Sequence, residues 1–333
     1  MGATVGIDVG GTKMLGVALD GAGAVVAEQR TATPHRHRHG TEELAGPAEV
    51  LSVISDLARS IVAEVERAGE RVDGVGVGVP GLVDDRGVLR FAPNLMHGEG
   101  MATAEKLTDD LAVPVVVDND ATCAAVGEWA LGAAVGVTDA VVVTLGTGIG
   151  GGVIADGRVR RGANGFAGEI GHMVVDPNGP PCSCGRRGCW ERYASGSGLG
   201  RLAREAALAG RLESVVRRAG GDPESVRSEH VTALAAEGDP AAAKVLAEMG
   251  WWLALGLANL ADLLDPAMFV VGGGMIEAGA FLLEPARAAF AGMVEAADVR
   301  PAIPIEAARL GERAGAMGAA VAARAGERDR AGR

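Results

Sequence analysis

Aromatic side chains are scarce in this sequence: they make up 3% of its 333 residues, and Tyr193 is the single tyrosine. With Ala and Gly abundant, the core must be largely aliphatic. Lysine is also rare, at three residues (Lys13, Lys106 and Lys244). Lys and Arg together number 31 against 43 Asp and Glu, which leaves a net charge of −12. That balance argues against a general binder of nucleic acid or of anionic membrane. An anionic substrate would need local help from lysine, from helix N-termini or from Mg²⁺. No apolar run reaches transmembrane length. The N-terminus opens directly on a strand pattern rather than on a basic leader and apolar core. Cysteine is limited to four residues, and their arrangement suits a reducing, cytoplasmic compartment. What is plentiful is hydrophobic content, 48%, enough at this length for two domains.

The most informative stretch runs from Asn164 to Glu191. Cys182, Cys184 and Cys189 fall within eight residues, and His172 lies ten residues before the first. Together they form a Cys₃His set, a closed tetrahedral zinc shell. Gly185 and Gly188 let the short loop between Cys184 and Cys189 turn back without a Cβ penalty. A disulfide reading is poor, because three local cysteines are an odd number and close neighbours pair badly. Four protein ligands leave no open position, so the metal is expected to be structural. Glu169 and Glu191 bracket the loop. Metal binding would fix the backbone beside both and hold two acceptors for a small polyhydroxy ligand.

The pattern Glu169-Ile-Gly171-His172, followed by Cys182-x-Cys184-Gly185-x-x-Gly188-Cys189-x-Glu191, resembles the signature of the ROK family (repressors, open reading frames, sugar kinases). The resemblance extends over essentially the whole chain, from Gly6 to about Ala323.

At the N-terminus, residues 4–20 read as strand, glycine turn, strand. Gly10, Gly11 and Thr12 expose N–H groups suited to phosphate oxygens. Asp8 at the strand end can hold Mg²⁺ through water, and Lys13 adds charge. Taken alone, the Gly-Gly pair fits an ordinary β-turn equally well. An internal repeat strengthens the phosphate reading: a shift of 136 residues lays Gly10 on Gly146, Gly16 on Gly152 and Asp20 on Asp156. Residues 144–154 are thus a second strand–turn–strand of the same design. This resembles the actin/hexokinase superfamily, α/β proteins whose two ribonuclease-H-like domains enclose ATP in a cleft. A smaller domain of residues 1–118, joined by the C-terminal helix at about 312–328, and a larger one of residues 119–311 are expected.

Further along, Pro34–His39 reads as a solvated loop with alternating histidines. Residues 42–69 are helical by spacing, and 72–79 form a Val/Gly strand. Asp118-Asn119-Asp120 ends a strand at the start of a helix, where any of the three could be the cap. Residues 240–265 read as one long helix or two. Residues 268–275 run from a buried strand into a third glycine turn. A last helix covers 314–324, followed by a frayed polar tail.

The family resemblance implies an ATP-dependent kinase for a hexose, most like a glucokinase, with N-acetylglucosamine, N-acetylmannosamine or fructose kinases as alternatives. It implies a sugar held by Asn94, Asn119, Asp120, Glu169, His172 and Glu191, with Asp120 as the base. Phosphates would lie on Asp8, Gly10, Gly11, Thr12 and Lys13, on Gly146, Thr147, Gly148, Gly150 and Gly151, and adenosine near Gly273 and Gly274. Zinc would sit on His172, Cys182, Cys184 and Cys189, and Mg²⁺ would accompany ATP. A homodimer or homotetramer is expected, with no nucleic-acid or membrane partner. Either Trp190 or its neighbours wall the pocket near the sugar's 2-position, or Trp190 points into the core and has no bearing on the pocket. A non-catalytic sugar-sensing regulator is the rival. Family repressors carry an N-terminal helix-turn-helix, and here the first strand begins at about Thr4.

Overall fold

A computed structural model of the chain describes residues 2–38, 41–91 and 103–331. It opens with β1 (Ala3–Val9), β2 (Lys13–Leu19) and β3 (Val25–Ala32), then the hairpin β4 (His35–Arg38) and β5 (Thr41–Leu44). Helix α1 (Pro47–Arg67) leads to β6 (Val72–Val79), the short pair β7 (Leu82–Val83) and β8 (Leu89–Phe91), α2 (Thr103–Leu111), β9 (Val115–Asn119) and α3 (Asp120–Leu131). Next come β10 (Ala140–Leu145), β11 (Ile149–Ala155) and β12 (Arg158–Val159). After an irregular stretch follow α4 (Glu191–Ala194), α5 (Gly196–Leu208), α6 (Glu213–Arg218), α7 (Ser228–Ala236) and α8 (Pro240–Leu264). The chain finishes with β13 (Met268–Gly272), α9 (Ala280–Ala291), β14 (Ile305–Ala307) and α10 (Ala314–Ala331).

Two five-stranded sheets follow one plan: β3-β2-β1-β6-β9 and β12-β11-β10-β13-β14. In the first, β1–β2 and β2–β3 are antiparallel, while β1–β6 and β6–β9 are parallel. In the second, β11–β12 is antiparallel, and β10–β13 and β13–β14 are parallel. This is the duplication that the internal repeat predicts. The parallel strands β1, β6, β10 and β13 are apolar on both sides because both faces are covered.

The chain forms two compact units: Met1–Thr138 with Gly152–Gly168 and Arg309–Arg333, and Asp139–Gly151 with Glu169–Ala308. Helix α3 and residues 152–168 therefore group with the first unit, past the boundary expected at 118–119. The reason is a close crossing of α3 with α10. A Cβ at Gly318 would sit 1.7 Å from the carbonyl oxygen of Cys123.

In the first unit α1 turns Val50, Leu51, Ile54, Leu57, Ala58, Ile61 and Val65 onto the sheet. Each fully buried aliphatic side chain of this kind contributes about 1.5–3 kcal/mol. The helix starts at Pro47 rather than at residue 42. Residues 41–44 pair in the hairpin instead, and proline at the helix's first turn sacrifices no hydrogen bond. On the opposite face the Ala-rich α10 lies almost on the backbone, where a Cβ at Gly76 would be 1.9 Å from the carbonyl oxygen of Ala319. Helix and sheet this close leave no room for large side chains, which accounts for the Val/Gly alternation of β6 and the shortage of aromatics. Helix α10 runs on to Ala331, beyond the end expected at 324.

In the second unit α8 is one continuous helix, N-capped by Asp239, whose carboxylate accepts from Ala241 and Ala242 N–H. Contrary to the expectation that no segment reaches transmembrane length, it is long and apolar enough to cross a membrane by length and composition alone. Its residues Val245, Leu246, Met249, Leu253, Leu257 and Leu260 are buried, so it serves as a core helix. Helix α9 packs on the sheet through an edge-to-face contact of Phe290 with Phe269.

Candidate active site

In the first unit two of the parallel strands, β1 and β9, carry acids at their ends. Asn119 is the N-cap of α3: its Oδ1 accepts Thr122 N–H at 2.9 Å. That frees Asp120 from capping the helix. The Asn119 amide also donates to Asp120 Oδ1 (3.0 Å) and to the Gly81 carbonyl (3.1 Å), and Ala121 N–H reaches the same Asp120 oxygen at 2.8 Å. Burial raises the Asp120 carboxyl above its ordinary range despite these bonds. Asp8, at the end of β1, is pushed up to about 7, first by burial and then by the charge of Asp120, with Lys13 opposing. A buried oxygen donor that resists ionisation unaided is chemically suited to a hard cation such as Mg²⁺.

The first glycine turn is closed by Gly10 N–H to the Lys13 carbonyl (3.0 Å) and by Thr33 Oγ1 to the Gly10 carbonyl (2.7 Å). Gly11 and Thr12 are exposed on it. Lys13 is ion-paired with Glu312 at 2.7 Å, and Glu312 also holds Arg30. Asn94 lies outside the described residues.

In the second unit His172, Cys182, Cys184 and Cys189 converge, their ligand atoms all within 4.8 Å of one another. Cys182 Sγ is 3.6 Å from His172 Nδ1, and Cys184 Sγ is 3.5 Å from Cys189 Sγ. Tetrahedral bonds of roughly 2.0–2.3 Å to N and S set ligands about 3.5–3.8 Å apart, so the set fits zinc. The thiols titrate unequally. Burial raises Cys182, and burial with the neighbouring thiols takes Cys189 to about 12. Burial opposes ionisation of Cys184 too, but hydrogen bonds from Arg186 and the neighbouring sulfurs bring it down to about 6.

Both flanking glutamates reach this knot. Glu191 Oε1 accepts from Cys182 Sγ at 3.0 Å and lies 3.7 Å from His172 Nδ1. Glu169 Oε2 stands 3.9 Å from the other ring nitrogen, Nε2. One edge of the imidazole thus faces the sulfurs and the other faces Glu169.

The second glycine turn adjoins the knot. A Cβ at Gly148 would lie 2.6 Å from Glu191 Oε2, so Gly148 makes room for that carboxylate. The first residues of α5 clamp the turn: Gly196 N–H donates to the Gly146 carbonyl (2.8 Å) and Ser197 N–H to that of Thr147 (3.3 Å). Gly150 and Gly151 belong to β11, and Gly151 is buried under Ile170. The turn is therefore narrower than the span 146–151 expected. Gly273, at a φ of +84°, packs on the Leu145 backbone and brings the third turn beside the second. Gly274 has open space around it.

Trp190 does not wall a sugar pocket. It is fully buried, donates Nε1–H to the Trp252 carbonyl at 2.8 Å and fills the space left by Gly256. Its neighbour Tyr193 stacks on Trp252 at 4.0 Å between centroids and donates to Asp176 Oδ2 at 2.7 Å, tying the cysteine loop to α8. Sequence reasoning missed Tyr193, Asp176 and Arg161, the last paired with Asp118 at 2.7 Å. No motif marks them; their partners are remote in sequence.

A duplicated α/β sheet pair with glycine turns at its strand ends defines the actin/hexokinase-like class, and known structures agree. The chain is similar to a ROK family glucokinase from Streptomyces griseus solved with glucose and AMPPNP. The two share 37% identity at a TM-score of 0.82, over 97% of this chain and 100% of that one. The chain belongs to the ROK family, whose model matches residues 4–325. It is 36% identical to the glucokinase of Streptomyces coelicolor over 97% of this chain and 98% of that protein. It is also 31% identical to the xylose repressor of Bacillus subtilis, over 86% of this chain and 68% of the repressor.

Proposed function

We propose that this chain is an ATP-dependent glucose kinase that transfers the γ-phosphoryl group of ATP to the 6-hydroxyl of glucose. Near-complete similarity to glucokinases supports the substrate pair. The observation that carries the chemistry is Asp120. It is released from capping by Asn119, held on one oxygen by two N–H donors, and raised by burial. A carboxylate in that state is a stronger base than an exposed one and accepts the hydroxyl proton as the oxygen attacks phosphorus.

Asn119 braces the base. Glu169, Glu191 and the Nε2 edge of His172 serve as sugar-hydroxyl partners, and Asn94 is proposed for the same role. N–H groups of Gly11 and Thr12 and of Thr147 and Gly148 receive phosphate oxygens, while those of Gly10 and Gly146 close the two turns on the Lys13 and Gly148 carbonyls; Gly273 and Gly274 admit the adenosine. Phosphoryl transfer depends mainly on positioning and charge stabilisation. Asp8 would hold Mg²⁺, which when bound neutralises charge developing on the phosphates. Zinc on His172, Cys182, Cys184 and Cys189 would fix the loop carrying both glutamates.

The enzyme is proposed to be cytoplasmic and to self-associate. Trp251, Leu255 and Leu263 recur at helical spacing on α8, and Trp251 and Leu263 are exposed, as is Phe281 on α9. A stable 33.5 kDa monomer by light scattering at micromolar concentration would end the self-association proposal. Coupled ADP release over glucose, N-acetylglucosamine, N-acetylmannosamine, mannose and fructose tests the activity, with polyphosphate replacing ATP in a second arm. With Trp190 in the core, the preference for glucose rests on similarity to glucokinases. A better kcat/KM for N-acetylglucosamine would reassign the substrate.

A further inference from the structure

Asp118, Asn119 and Asp120 form one hydrogen-bonded chain. Asp118 is buried at the end of β9, with 7% of its surface exposed. One of its oxygens accepts Asn119 N–H at 2.9 Å, and the other is held by Arg161 Nε at 2.7 Å. With both oxygens engaged, the plane of the Asp118 carboxylate is fixed, and so is the Asn119 peptide. The Asn119 amide then holds Asp120 Oδ1.

Arg161 arrives from a separate segment whose own bonds fix it. Arg160 N–H donates to the Val153 carbonyl (2.8 Å), and the Arg161 carbonyl accepts Ala167 N–H (3.0 Å). Further along this loop, Gly165 lies against the backbone of Val83 and Asp84. The guanidinium is thus presented to Asp118 by a closed loop rather than drawn there by the ion pair alone.

Building on the kinase reading, we infer that Arg161 is a positioning residue for that reaction: through Asp118 and Asn119 it sets the orientation of Asp120 toward the sugar hydroxyl. Small misplacement of a reacting group lowers rates steeply, by as much as about 10²-fold for 1 Å.

Steady-state kinetics of the full chain with glucose and Mg-ATP test this. Arg161→Met is expected to lower kcat/KM for glucose by about 10–100-fold, with KM for ATP within about twofold of the parent. Arg161→Lys restores most of the loss, because an ammonium reaches the same oxygen. Asp118→Asn, which keeps the shape and the bond to Asn119, falls with Arg161→Met, and the double variant is no worse than the poorer single one. In an Asp120→Asn background, Arg161→Met adds little further loss of kcat. An active parent with Arg161→Met or Asp118→Asn within twofold on every constant overturns the role. So does an equal rise in both KM values that Arg161→Lys does not rescue, the mark of general loosening. A parent with no glucose-dependent ADP release overturns the kinase reading itself, and this role with it.

Discussion

The two units share a strand order but hold their chemical groups by different means. In the first, Asp8 and Asp120 stand at the ends of regular parallel strands, and Asp120 is oriented by backbone and amide hydrogen bonds. In the second, Glu169 and Glu191 sit on an irregular stretch between β12 and α5, joined by a three-residue helical turn and the short α4. That stretch has few ladder bonds to keep it in place. It is held by turn hydrogen bonds, two isolated bridges and the Asp176–Tyr193–Trp252 contacts, and four potential metal ligands converge within it. A sheet end orients a side chain at no added cost in order; a loop needs a cross-link.

The largest effect should come from the sheet end. Asp120→Asn is expected to lower kcat by about 10²–10⁴-fold, the range for loss of a general base, with zinc content unchanged by elemental analysis. A kcat within about threefold of the parent would remove Asp120 as the base.

The loop is expected to respond to loss of a metal cross-link. Cys184→Ser should lose the metal, and glucose affinity measured by calorimetry should fall about 10–100-fold as both glutamates lose their anchor. Unchanged glucose binding by metal-free protein would show that the loop is held by packing alone, and the contrast between the units would fail.

A smaller effect isolates that packing. Gly256→Ala places a methyl against the Trp190 ring, an overpacking that costs about 1–3 kcal/mol. Thermal melting should register it as a loss of several degrees with the sugar preference unchanged. A change in sugar preference would return Trp190 to the pocket.

The smallest effect concerns the acids of the first unit. Asp8 titrates at about 7 in the folded chain and at 3.8 as a free side chain. Between these values the folded state binds the extra proton, so stability falls as pH rises through the window. Asp120 shifts in the same direction. Asp8→Asn should therefore melt a few degrees higher than the parent at pH 7.5, with the gap closing toward pH 4, while phosphoryl transfer slows. A gap that widens toward pH 4 would falsify the assignment of this charge burden to Asp8.

Much of this was legible along the chain because the relevant spacings are local. Three cysteines and a histidine within a short span mark a possible metal-ligand set, whose atoms the fold brings within 4.8 Å of one another, and a glycine turn between two apolar strands announces itself twice at a fixed shift. The apolar periodicity of α1 and the extended apolar strands determine the elements, since side-chain period alone dictates which face is buried. The tertiary structure decided matters that depend on distant partners. It sent Trp190 into the core, because Gly256 leaves a slot and the Trp252 carbonyl an acceptor. It placed α3 with the first unit, because Gly318 lets α10 approach the backbone of Cys123. It brought Arg161 to Asp118 across 43 positions, an ion pair that no local pattern encodes. Short-range order follows from neighbouring residues, whereas the orientation of a buried carboxylate such as that of Asp120 follows from groups that only folding brings together.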